Sequence, residues 1–356
     1  VAWLAFGECI LMIADRMRLF GILNKCIKIT VDSSKIDSNL THFPLSVVFS
    51  SSNCGSLFDE IGDSYQKIRV SKDLYGQNQL YVEVEYWNAS EKKAVLHVSK
   101  SDWVISSSSD TYIYLHYSSV FPNNTTYVGA MASAVGENVW DSNFVFVSHV
   151  EDLKDSTGNA SDGSNYSTSE EAALLGQGLE TNNGYATFPH HNSHNVADKC
   201  TLAIAFKTSN NCSYSGLICK DIATSSSYKY MIYVSSSSEN VSLYIRTSSG
   251  VSAAKYNGSV KDSAWHYFVG VYDKSLASKR LKLYIDGNLE AEADGYNEDI
   301  LSSTNTLALG RWGASYRFDA FLDEARISDT ARSAAWIKAE YYSVLDSLLS
   351  FESIVE

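Results

Sequence analysis

From residue 26 onward the chain alternates apolar and polar residues with a period of two. Ile27, Ile29 and Val31 begin the pattern, which returns in Leu45–Phe49, Leu80–Tyr86, Ala94–Val98 and Thr111–Tyr117. Such alternation sends successive side chains to opposite faces of a strand, one toward a core and one toward solvent. Turn-forming runs such as Tyr75–Asn78 and Ser106–Asp110 separate the segments. Short strands joined this way pair antiparallel into sandwiches or barrels. The residue balance agrees, because 3 prolines against 23 tyrosines, with long Ser/Thr/Val/Ile stretches, favour strands over helices. With 45% hydrophobic residues the chain can bury real cores, and 356 residues suffice for two domains at about 150 residues each.

The first 25 residues break the pattern. On a helix turning about 100° per residue, Glu8, Asp15, Arg18 and Lys25 share one arc, while Trp3, Phe6, Ile10, Ile13, Met17 and Phe20 cover most of the rest. Asp15, Arg16 and Arg18 sit too centrally for a membrane span. A signal peptide would carry its positive charge before the apolar run rather than after it. The expectation is a buried N-terminal helix over 1–25. It either links neighbouring copies or plugs one end of a β-domain. The opening Val, in place of Met, points to processing or an incomplete start. Ala334–Glu356 is the other helix-like stretch, so short helices are expected at both ends.

Asp and Glu number 41 against 28 Lys and Arg, a formal charge of −13. An acidic surface without a basic stripe repels phosphate backbones, which excludes nucleic acid as a partner. Nine Asn-X-Ser/Thr triplets, at Asn39, Asn88, Asn123, Asn124, Asn159, Asn165, Asn211, Asn240 and Asn257, are glycosylation candidates in a secreted chain. The six cysteines show no zinc-site spacing. Cys200, Cys212 and Cys219 cluster closely enough for one local disulfide, the alternative being buried free thiols.

Two family resemblances follow from ordered motifs. Phe43-Pro44, then Glu83, Glu85 and Trp87, then Asp110-Thr111, Ile113, Tyr114 and Tyr117 resemble the DUF2341 domain of bacterial, archaeal and phage surface proteins. This resemblance implies a β-sandwich over 26–125 with no established catalytic role. Val139-Trp140-Asp141, the run His149–Asn159, Cys200–Lys207, Trp265-His266 and Leu281–Gly287 resemble a laminin-G-like, concanavalin A-like domain. Phe318–Ser328 and Ala331–Tyr341 resemble that family's closing strand and helical tail. The second match implies a jelly roll over 139–343, leaving 126–138 as a linker and 344–356 as a tail. The sequence departs from the family at Leu179–Tyr185, near the rim, and at Ala320, where glycine is common. The expected fold is therefore all-β, two antiparallel β-sandwiches with short terminal helices.

No catalytic set emerges from the residues. A retaining glycosidase needs two carboxyl groups about 5–5.5 Å apart on one groove. Glu290, Glu292 and Asp294 do alternate onto one face, but their run follows a hairpin and reads as a solvated edge. His190, His191, His194 and Asp198 are dense but lack a second ligating arm. Gly62-Asp63-Ser64 reads as a turn rather than a nucleophile elbow, and Gly176-Gln-Gly178 lacks the features of a phosphate loop.

Binding is the stronger expectation. The second resemblance implies a rim calcium ion, with Asp155 and Asp323 as candidate ligands; both could equally cap turns. Trp312, Tyr316, Tyr228 and Tyr230 are candidates for stacking on a glycan, or for local packing. The leading expectation is a non-enzymatic extracellular structural protein of a virion, fibre or surface filament, with copies of itself or other subunits as partners. The alternative is a calcium-assisted, lectin-like adhesin for cell-surface glycans, and a glycosidase is a remote third.

Overall fold

The computed structural model describes residues 25–208, 215–224, 226–235, 240–313, 316–317 and 319–354. The expected helix over 1–25 lies outside them except for Lys25, which already belongs to a strand. The described chain is all-β apart from two short helices, α1 (Ser51–Ile61) and α2 (Ala334–Val344), and single turns of 3-10 helix.

Four sheets stack in layers. The first orders Leu349–Ile354, Lys25–Val31, Thr111–Tyr117 and Ile68–Ser71. The second orders Leu45–Phe49, Lys93–Ser99, Tyr81–Asn88 and Val128–Ala130, the last pair being parallel. The third, of eight strands, centres on Lys199–Lys207 between Phe321–Ser328 and His266–Asp273; Phe144–Ser148 also pairs with Phe321–Ser328. The fourth, of seven strands, includes Tyr185–Phe188, Leu307–Leu309, Ser215–Lys220, Tyr230–Val234 and Val241–Thr247.

The period-two pattern explains the layers. Ile27, Ile29 and Val31 face Val82, Val84, Leu96 and Val98 in a core between the first two sheets. Leu202, Ile204, Phe206, Leu281 and Leu283 face Ile218, Ile232, Leu243 and Leu309 between the last two. These are the two expected sandwiches. The Asp286-Gly287 turn that closes one hairpin has φ of +52° and +77°, the left-handed pair a two-residue loop requires.

The sandwiches are fused rather than tethered. The outer faces of the second and third sheets meet through Val95, Ala203, Ala205, Tyr267, Val269 and Val271. Helix α2 wedges into this junction, with Trp336 in the first core and Ile337 in the contact layer. Its N-cap is Ser333, whose Oγ accepts from the Trp336 N–H at 3.2 Å.

Three expectations change here. The stretch assigned as a linker over 126–138 supplies Val128–Ala130 to the second sheet, because Val128 completes that sheet's apolar face. The helix-like stretch Ala334–Glu356 is helical only to Val344. Leu349–Ile354, assigned to a tail over 344–356, pairs with Lys25–Val31, which puts a strand late in the chain beside the first one described. Helix α1 was not expected from the sequence. A capping box between Ser50 and Asn53 starts it, and Leu57, Phe58 and Ile61 bury its inner face.

Candidate functional site

The junction between the sandwiches holds a cluster of charged side chains sealed from water. On the Tyr81–Asn88 strand, Val82 and Val84 face the first core, so Glu83 and Glu85 face the third sheet. His97 lies opposite Glu83 on the neighbouring strand and shares that face. From the other side come His149, just after Phe144–Ser148, and Glu324 and Arg326 on Phe321–Ser328. The side chains of Glu83, Glu85, His97, His149 and Glu324 are 0% exposed.

Backbone irregularities aim these groups. The pairing of Val84 with Leu96 and of Tyr86 with Val95 leaves Glu85 as the extra residue of a bulge. A second register shift falls between the Ala203–Arg326 and Ala205–Asp323 pairs, where Glu324 has φ +51°. Bulges turn a side chain away from simple alternation, and here they turn two carboxylates to one point. After His149 the chain passes through Val150 at φ +57°, a costly conformation for a β-branched residue.

The contacts form a closed network. His97 Nε2 lies 2.7 Å from Glu85 Oε2, and His149 Nδ1 lies 2.5 Å from Glu324 Oε1. His149 Nε2 is 3.4 Å from Glu83 Oε2, which also accepts from the Trp140 indole at 2.6 Å. Arg326 donates to Glu324 and, at 2.7 Å, to Glu340. Asp323 accepts from the Leu175 N–H at 2.9 Å. Burial drives the ionisation states apart. It pushes Glu85 up to about 8 and His97 down to about 3. Burial also opposes charge on His149, yet Glu324 and Glu85 outweigh it and raise His149 well above its ordinary value. Asp323 is likewise raised by burial, with Glu324 and Glu85 adding to it. A sealed cluster cannot meet a polymeric substrate, so this carboxylate set has no access for glycoside hydrolysis.

A second assembly lies on the outer face of the fourth sheet. Tyr230, Ile232 and Val234 point into the sandwich, so Met231 and Tyr233 point out, as does Tyr244 on the next strand. A small ribbon, Arg311–Trp312 paired with Tyr316–Arg317, lays Trp312 beside them. Trp312 stacks on Tyr316 at 4.7 Å and meets Tyr233 edge-on at 5.2 Å. Tyr228 stands 6.4 Å from Trp312 and 6.0 Å from Tyr244. The Arg246 guanidinium lies over Tyr228 at 4.7 Å, and Tyr316 is 38% exposed.

Residues 180–338, which run through the third and fourth sheets, match the family model described as the concanavalin A-like lectin/glucanases superfamily. This part of the chain is a concanavalin A-like domain. No curated protein matches the sequence. Among solved structures, domain 4 of AbnA, a GH43 extracellular arabinanase from Geobacillus stearothermophilus, in complex with arabinotriose, is 15% identical with a TM-score of 0.46; the match covers 55% of this chain and 96% of that one. The binding domain of Paraclostridial Mosquitocidal Protein 1 is 13% identical with a TM-score of 0.47, covering 56% of this chain and 52% of that one. The binding domain of botulinum neurotoxin DC in complex with SialylT is 9% identical with a TM-score of 0.46, covering 57% and 52%.

The concanavalin A-like domain carries most of the residues singled out from sequence. Trp312, Tyr316 and Tyr228 come together on the outer face, whereas Tyr230 points into the core and donates its hydroxyl to the His194 carbonyl at 2.9 Å. Tyr228 and Tyr230 differ because Tyr228 precedes the Tyr230–Val234 strand, with a bend at Lys229, so alternation does not relate their faces. Tyr233 and Tyr244, not singled out from sequence, complete the face.

Asp155 caps its turn. Its oxygens accept from Thr157, Ser161 and Val147 backbone N–H groups and from the Thr157 hydroxyl. Among the described residues the group with metal-ligand geometry is Glu85, His97, His149 and Glu324, which contains neither Asp155 nor Asp323. His190, His191 and His194 form no group with metal-ligand geometry among the described residues; the His191 and His194 rings meet edge-on at 6.0 Å, and the His194 ring also sits edge-on to Phe146 in the core. Glu290 and Glu292 lie on the exposed edge strand Asn288–Ala293, Glu292 paired with Lys279 at 2.6 Å.

Of the two readings of the cysteine cluster, Cys200 and Cys219 take the second and are buried free thiols. Cys200 faces the sandwich core from the third sheet, while Cys219 faces outward from the fourth, and Cys212 lies outside the described residues. Of the Asn-X-Ser/Thr sites, Asn39, Asn123, Asn165 and Asn257 are exposed, Asn88, Asn159 and Asn240 are half-buried, and Asn211 lies outside the described residues. Asn124 is buried, its amide donating to the Ile68 carbonyl at 3.0 Å and to Gln79 at 2.8 Å, which leaves no room for a sugar.

Glu83, Glu85, His97, His149 and Glu324 were missed as a site. In Val-Glu-Val-Glu and Leu-His-Val the charges stand at the parity opposite the core-facing residues, which reads as an ordinary solvent face until the third sheet covers it.

Proposed function

We propose that this chain is a non-enzymatic extracellular module that binds glycans on the outer face of the fourth sheet. The observation that supports this reading is the gathering of Tyr228, Tyr233, Tyr244, Trp312 and Tyr316 on the side of the sheet away from the sandwich core. Tyr316, which is exposed, and the half-buried Trp312 and Tyr244 offer flat apolar surface for the C–H side of a pyranose, Tyr228 and Tyr233 being buried beside them, and Arg246 adds donors for hydroxyl or acidic groups. The family description, lectin and glucanase, is consistent with a sugar ligand. The sealed junction cluster and the solvated Glu290–Asp294 edge favour binding over hydrolysis.

A glycan array, run with and without calcium, tests the proposal with the wild-type chain and Trp312→Ala. A defined set of bound glycans lost in the variant supports it, and an array without binders overturns it. The structural reading, a subunit of a virion, fibre or filament, is favoured by the fused four-layer body, which makes a stiff unit. It predicts a large regular particle in mass photometry. The DUF2341 assignment of the first sandwich remains a proposal resting on the motif residues, of which Glu83 and Glu85 build the junction and Phe43 packs on Trp336 at 5.0 Å.

A further inference from the structure

We infer that Glu85, His97, His149 and Glu324 bind one divalent transition-metal ion of the zinc class and thereby lock the two sandwiches together. One ligand atom from each residue lies within 4.8 Å of all the others. Two come from the second sheet and two from the third-sheet side, so the ion would cross-link the junction. Two imidazole nitrogens with two carboxylate oxygens suit Zn2+ and its neighbours; Ca2+ and Mg2+ prefer oxygen alone.

The spacing fits. A tetrahedron with bonds of about 2.0–2.1 Å has edges of about 3.3 Å. The spacings of 2.5, 2.7, 3.5 and 4.0 Å fall on both sides of that length. Shifts below about 1 Å would equalise them.

Two features point to an ion rather than to a salt-bridge network alone. First, the ligands have outer partners of the kind that orient metal-bound groups. His97 Nδ1 meets Ser46 Oγ at 3.2 Å, His149 Nε2 meets Glu83, and the far oxygen of Glu324 is held by Arg326. Second, the Glu85 carboxyl group is short of partners: Oε1 is buried without a hydrogen bond, an expensive state that a cation on the neighbouring Oε2 would offset. Gly176 makes room there, since a Cβ on it would stand 2.6 Å from that oxygen.

A cleft of about 320 Å³ is lined by Glu85 together with Tyr86, Trp87, Met131, Glu151 and Asp152, and the latter two carboxyl groups favour cations there.

The test uses the full chain. Metal content is measured after chelator-free purification. The chain is then stripped with a chelator and titrated with Co2+, whose visible bands report tetrahedral nitrogen and oxygen ligation. The expected result is about one ion per chain, with a saturable Co2+ spectrum abolished by Zn2+ and untouched by Ca2+. Glu85→Gln, isosteric with the neutral acid, should weaken Co2+ binding by about 100-fold or more. Ser46→Ala, which spares every ligand and loosens His97, should weaken it by about 10–100-fold and covers the case in which E85Q fails to fold. Glu290→Gln on the exposed edge should bind as the wild type does. A wild-type chain with neither metal nor a Co2+ spectrum overturns the inference. So does equal binding by wild type and whichever of E85Q and Ser46→Ala folds.

Discussion

The imidazole rings of His97 and His149 stack at 4.3 Å with their planes 17° apart, one ring carried by each sandwich. Two charged rings would repel at that distance. Burial holds His97 neutral, while the carboxylates of Glu324 and Glu85 favour the charged form of His149. Without a bound ion the stack therefore joins unlike rings, and Trp140, 5.3 Å from His97 and 5.7 Å from His149, closes over both.

Arg326 is the keystone of this charge pattern. Replacing it with Met keeps much of the volume but leaves Glu324 and Glu340 buried without their guanidinium. Arg326→Met is expected to destabilise the chain by about 3–5 kcal/mol. Urea denaturation followed by tryptophan fluorescence checks this.

Arg332 grips Asp141 through both terminal nitrogens, at 2.6 and 2.7 Å, and its plane covers Trp336 at 4.2 Å. Lys cannot reproduce the fork or the stacking. Arg332→Lys should cost about 1–3 kcal/mol, measured as a lowered midpoint in the same denaturation. A change too small to detect would show the fork to be dispensable.

His266 gives a pH signature. A hydrogen bond to Asp286 raises its pKa above 6.5 despite partial burial, and Asp262 adds to the effect. Because the folded value exceeds the unfolded one, the contribution is complete below pH 6.5 and fades as pH rises through the folded value. The Tm gap between wild type and His266→Gln should therefore be widest at acidic pH and narrow on the alkaline side. A gap that widens with rising pH would contradict the assignment.

The strand Leu349–Ile354 covers the edge of Lys25–Val31 in register from Cys26–Ile354 to Val31–Leu349. Ending the chain after Ser347 would strip that edge and remove Phe351 from Phe49, now 5.9 Å apart. An unpaired apolar edge invites intermolecular pairing. The truncated chain should lose about 3 kcal/mol or more and aggregate at concentrations where the intact chain does not. Light scattering at matched concentration checks the second point.

Much of the architecture was legible locally. The alternation in Ile27–Val31, Leu45–Phe49 and Leu281–Ile285 marks strands and their inner faces, and Asp286-Gly287 marks its hairpin. Helix α1 was not legible, because a Ser-rich start becomes a helix only when Leu57, Phe58 and Ile61 find a core to cover. Tyr228, Trp312 and Tyr316 could be named, but the sheet that gathers them with Tyr233 and Tyr244 could not.

Sequence alone determined what short-range chemistry controls: strand period, turn residues and the presence of two sandwich-forming segments. Those depend on neighbours one to four positions apart. Tertiary structure alone decided that the sandwiches fuse, that residues 349–354 complete the first sheet, and that Glu85, His97, His149 and Glu324 meet. The junction joins strands more than two hundred residues apart in the chain. Both aimed carboxylates depend on bulges, which a one-residue change of register creates, and register is set by the partner strand rather than by the segment itself.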